Sequence, residues 1–109
     1  MTAEMIIWLL WWLLVAHVIA DWCIQGDYVA TNKGKHSIIM LAHCIAWAGI
    51  VCIPLAIFKV LVWQKIPFLV VGHFVIDSWK VQQQDNTKFL RHLCIDQALH
   101  ICQLLVVAF

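Results

Sequence analysis

From Met5 the chain runs through "MIIWLLWWLLVAHVIADWCI" with only His17 and Asp21 to break an otherwise apolar stretch. A helix rising about 1.5 Å per residue needs roughly 20 such residues to cross a lipid hydrocarbon core. That length match constrains the fold more than any other feature, and it recurs along the chain. "QGDYVATNKGK" interrupts the first run with Gly26 and Gly34 as turn residues. A second apolar run covers 37–62, with Pro54 inside it as a kink site and Lys59, Gln64 and Lys65 marking its exit. Pro67 suits the first turn of a third helix over 67–81. This third stretch is short for a full crossing. After the polar turn "QQQDNTK", a fourth run covers 89–109.

Composition decides what solvates these runs. Of 109 residues, 64% are apolar and 12% charged, against roughly half and a quarter in globular chains. A domain this small has too much surface for its volume to hide that much apolar area from water. The expected fold is therefore all-α, a single transmembrane domain (1–109) of four helices spanning about 5–24, 37–62, 67–81 and 89–109, the third short. Its first partner is the lipid bilayer, and four exposed helix flanks leave room for a homo-oligomer. A net charge of +1 lacks the dense basic stripe that nucleic acid requires. Glu4, the lack of Lys or Arg before the apolar run, and the lack of a small-x-small cleavage site make the first run an expected retained span.

Four spans put both termini on one side. Lys33, Lys35, Lys80, Lys88 and Arg91 fall at the first and third loops, while Lys59 and Lys65 fall on the other side. The bias of Lys and Arg toward the cytoplasm predicts a multi-pass inner-membrane protein with loops 1 and 3 cytoplasmic and the termini outside. Trp8, Trp11, Trp12 and Trp63 would form one aromatic belt, Trp22 and Trp79 the other. The five cysteines form no CxxC pair and read as small apolar side chains, with Cys23, Cys44 and Cys94 as weaker ligand candidates beside polar positions.

The polar residues inside the spans carry the chemistry. His17/Asp21, His73/Asp77 and Asp96/His100 are each four apart, so each pair shares one helical face. With His43 they lie near the loop 1 and loop 3 ends of all four spans. An ionised aspartate at mid-depth in lipid costs about 2.5–3.5 kcal/mol, so three of them need compensation. His–Asp contacts between helices are one compensator, although such contacts average only about 0.6 kcal/mol. A proton or ion pathway is another, but no matching polar set lines the outer half. A divalent metal is the third, since imidazole and carboxylate together suit Zn, Mn or Fe, and helical bundles build such sites from facing pairs. The metal ligands expected here are His17, Asp21, His43, His73, Asp77, Asp96 and His100, enough for one ion or for two with bridging carboxylates.

The order His17-x-x-x-Asp21-Trp22-x-x-Gln25, Asn32-Lys33, His43, "HFVIDSWK" and Asp96-Gln97-x-x-His100 resembles an uncharacterised family of small prokaryotic and phage multi-span membrane proteins. It is more weakly similar, in style, to the membrane-bound metal-dependent hydrolases. That second resemblance implies hydrolysis of a lipid or phosphoester. In it, a carboxylate of Asp21, Asp77 or Asp96 would act as general base, with Lys33, Lys80, Gln25 and Gln97 toward the substrate. Beside it stands a non-enzymatic reading: an ion or proton pathway, a transporter subunit or a phage membrane-modifying protein, with the His/Asp pairs as structural glue.

Overall fold

The computed structural model describes residues 1–83 and 88–109. The expected turn "QQQDNTK" thus lies largely outside the described residues. Helix α1 spans Ala3–Val18 and continues into a wider, π-type turn over Ile19–Cys23. Helix α2 spans Gly26–Asn32, α3 Ser37–Ile57, α4 Lys65–Val81 and α5 Phe89–Ala108. Among the described residues the fold is all-helical, but five helices replace the expected four, because the segment read as a loop folds into α2. Gly26 makes the entry with φ 75, in the left-handed region that glycine adopts without steric cost.

Among the described residues, three helical segments are long and apolar enough to cross a membrane: Ala3–Cys23, Ser37–Ile57 and Phe89–Ala108. Helix α4 has 17 residues, which amounts to about 25 Å of rise. Pro67 sits in its first turn, as its sequence position implies. Helix α3 stops at Ile57 and not near 62. Lys59 adopts φ 61, while Lys59 N–H donates to the Ala56 carbonyl (3.0 Å) and Val60 N–H to the Leu55 carbonyl (2.9 Å). That pair of bonds is the Schellman closure, with lysine where glycine usually stands. Lys65 Nζ then donates to the Val60 carbonyl at 2.6 Å.

The four long helices close a ring in which α3 packs on α1 and α4, and α5 packs on α4 and α1. Its interior divides in two. One half holds Leu9 and Leu13 of α1, Val51 and Leu55 of α3, Leu69 of α4, and Leu104 and Val107 of α5, all buried. The other half holds the buried His and Asp side chains. Outside, the surface is apolar: Ile38, Trp63, Ile7 and Val71 are each at least 60% exposed. This is the surface a lipid solvent selects. In lipid, van der Waals packing and interhelical polar contacts, not water exclusion, hold such helices together.

One packing contact joins the halves. Gln103 Nε2 donates to the carbonyls of Phe68 (3.0 Å) and Leu69 (3.1 Å) on α4. It fits because Gly72 has no side chain: a Cβ there would lie 2.3 Å from Gln103 Nε2. Although alanine favours a helix interior over glycine by about 1 kcal/mol, Gly72→Ala is expected to destabilise the bundle by about 1–3 kcal/mol through loss of those bonds. Denaturation in detergent checks this. In a Gln103→Ala background the same change should be neutral or stabilising.

Candidate metal centre

Each element brings its donors to the polar half for a local reason. In α4 and α5 the i, i+4 spacing stacks His73 with Asp77 and Asp96 with His100. Both pairs are at most 3% exposed. His43 stands early in α3, where the chain enters the same end. Asp21 is delivered differently. It lies inside the π-type turn, which breaks the regular stacking over His17, and its Oδ1 lies 3.2 Å from His43 Nε2 and 3.7 Å from His73 Nε2. Single π turns of this kind recur where a side chain must be re-aimed at a functional centre.

All seven expected ligand residues meet. Three overlapping groups each bring their donor atoms within 4.8 Å of one another: Asp21–His43–His73–Asp77, His17–Asp21–His100 and Asp77–Asp96–His100. The first is the most regular. His43 Nε2 and His73 Nε2 are 3.0 Å apart, and each is 3.3 Å from Asp77 Oδ2. With the two Asp21 distances, five of the six edges of a tetrahedron span 3.0–3.7 Å. Ligands at about 2.0–2.1 Å around a tetrahedral ion are themselves about 3.4 Å apart.

Hydrogen bonds within the protein do not account for this crowding. Two ring nitrogens in contact need one lone pair and one N–H between them, and Asp21 Oδ1 has no hydrogen-bond partner. Buried polar atoms are almost always paired, so such an orphan asks for a partner of another kind.

His17 differs from the other histidines. The indole Nε1–H of Trp47 donates to His17 Nδ1 at 3.1 Å, and an indole can only donate. His17 Nε2 therefore carries the hydrogen and donates to Gln97 Oε1 at 2.8 Å, and Gln97 Nε2 donates to Asp96 Oδ2 at 2.8 Å. A directed chain runs Trp47, His17, Gln97, Asp96. Its geometry lets His17 position Asp96 as well as belong to the His17–Asp21–His100 group.

A cavity of about 300 Å³ opens over the cluster. Its lining includes Asp21, Asp77 and Asp96 together with Gln25, Lys33, Lys80 and Gln97, the side chains the sequence suggested for base and substrate contacts. Lys33 Nζ donates to Asp77 Oδ2 (2.8 Å) and to Gln25 Oε1 (2.7 Å), and Lys80 Nζ is 3.7 Å from Asp96 Oδ2. Lys33 is thus an internal counter-charge as well as part of the lining.

Sequence reasoning missed Trp47, which stacks on His73 with ring centroids 4.2 Å apart and planes at 24°. The available signal was its position four residues after His43, on the same helical face. Of the cysteine candidates, Cys23 and Cys94 are exposed, and Cys44, though buried, belongs to none of the three groups. His92 packs edge-on against Trp79 at 6.0 Å and is also outside them.

A family model described as "Protein of unknown function (DUF3307)" matches residues 9–109. The chain belongs to the DUF3307 family. No curated protein and no solved structure matches the sequence. The matched span contains every residue of the cluster, the π-type turn and both cavity lysines. Membership in DUF3307 brings no activity, so function has to be argued from the site.

Proposed function

We propose that this DUF3307 protein is a multi-pass membrane protein that binds a divalent metal, Zn, Mn or Fe, near the cytoplasmic face of an inner membrane and uses it to hydrolyse a phosphoester, such as a lipid headgroup. The observation that carries the reading is the near-tetrahedral set of Asp21, His43, His73 and Asp77 donors at ion-ligand spacing. Loops 1 and 3 face the cytoplasm in this reading because they hold most of the Lys and Arg residues.

An ion in this cluster that kept one position open for water would acidify that water so that hydroxide forms near neutral pH. The protein's own groups do the rest. Asp96 Oδ2, beside the cavity and held by Gln97, accepts a proton. Lys33 and Lys80 attract the phosphate oxygens into the cavity, and Gln25 fixes the Lys33 ammonium. The position at the polar end of the bundle lets a headgroup enter while its acyl chains stay in lipid.

The test uses the full chain purified in detergent. Bound metal by mass spectrometry and cleavage of bis(p-nitrophenyl) phosphate and phosphatidylglycerol are measured before and after chelation. Expected are stoichiometric metal and a cleavage rate that chelation removes and Mn²⁺ or Zn²⁺ restores. A second reading, structural glue, is favoured by the Lys33–Asp77 bond and the His17–Gln97–Asp96 chain, which join helices without an ion. Metal-free protein whose stability ignores chelators would establish that reading instead.

A further inference from the structure

We infer that the cluster takes two divalent cations side by side, with the Asp77 carboxylate shared between them, and that the second position, at His100 and Asp96, is the open one facing the cavity. This rests on the metal reading above and adds number, order and division of labour to it.

The two oxygens of Asp77 address different partners. Oδ2 faces His43 and His73, while Oδ1 faces His100 Nε2 at 3.5 Å. His100 Nδ1 lies 2.9 Å from the Asp96 backbone carbonyl and so carries the ring hydrogen. That leaves the Nε2 lone pair pointing at a carboxylate oxygen, two acceptors facing each other. His100 is fully buried, and its Nε2 has no hydrogen-bond partner. Asp96 Oδ1, in a residue 3% exposed, has none either. A backbone carbonyl that fixes one imidazole nitrogen and leaves the other bare is the usual outer support of a metal-bound histidine.

The two positions differ in closure. Asp21, His43, His73 and Asp77 supply four protein donors, a complete tetrahedral shell. Asp77, Asp96 and His100 supply three, leaving room for a further ligand. Closed shells are characteristic of structural ions and open ones of reactive ions. His17 serves the open position indirectly: through Gln97 it ties down Asp96 Oδ2 and leaves Oδ1, 3.4 Å from His100 Nδ1, without a hydrogen bond. Paired ions typically stand about 3.5–4 Å apart, within the span of one carboxylate bridge.

The experiment loads the detergent-purified chain with Mn²⁺ and reads metal per chain together with the electron paramagnetic resonance spectrum. The wild type should bind two ions and show a spin-coupled pair. Asp96→Asn, nearly isosteric, should bind one ion and give an isolated Mn²⁺ spectrum, and His100→Gln should do the same. Asp21→Asn should lose the closed position. His17→Phe should weaken only the second ion, a readout that a merely structural role would not single out. One ion per wild-type chain, with no spin coupling, would overturn the pair and leave the single-metal reading standing. No ion would overturn both.

Discussion

Replacing Asp77 with asparagine is expected to lower metal affinity by at least about 100-fold, the upper end of what even outer-shell substitutions cost. Asp77 contacts His43, His73, His100 and Lys33 from one carboxylate, so among the described residues no other side chain touches as much of the cluster's charge. Asparagine keeps the shape and an acceptor for the Lys33 ammonium, and loses the negative charge that would balance a dication. The fold should therefore persist, as circular dichroism and size-exclusion chromatography can verify, while titrated Mn²⁺ or Zn²⁺ no longer stays bound. Cleavage of the phosphoester should fall to the chelated level. A folded Asp77→Asn protein with wild-type affinity would remove Asp77 from the centre of the scheme.

Trp47→Ala is expected to cause the largest loss of stability, about 3–5 kcal/mol. The indole is 1% exposed, stacks on His73 and donates to His17 Nδ1. Truncation leaves a cavity where the apolar and polar halves meet, and it strips a buried nitrogen of its donor, which by itself costs about 1–3 kcal/mol. Trp47→Phe separates the effects: it retains most of the packing and removes only the N–H. Unfolding in a fixed detergent mixture should rank wild type above Trp47→Phe above Trp47→Ala. An alanine variant within error of the wild type would mean the ring merely fills space that the helices can close by themselves.

The sequence made the His/Asp faces readable because four-residue spacing is a geometric identity of the helix, and because each pair sat at the matching end of its apolar run. It did not make Asp21's placement readable. On a regular helix Asp21 stacks over His17; here it lies in the π-type turn and also reaches His43 and His73. Apolar residues such as Ile19 and Ala20 carry no signature of that turn. Helix α2 was hidden because Gly26, here with positive φ, and Asp27, in the first turn of the helix, are also common turn residues. The early end of α3 was hidden for the opposite reason: Lys59 occupies a conformation normally announced by glycine. Lys33 was expected at the rim as a substrate contact. Its bond to Asp77 depends on α2, packed against α3, ending at Lys33 within reach of α4.

The divided interior has a further consequence for traffic. Below the histidines, Gln103 is the last polar step among the described buried residues before Leu9, Leu13, Val51, Leu55 and Leu69 seal the bundle. An apolar stopper of that depth offers a hydrated ion no replacement for its water shell. On the proposed reading, an ion that entered the polar half would meet this apolar plug as a closed floor and leave by the mouth it came in.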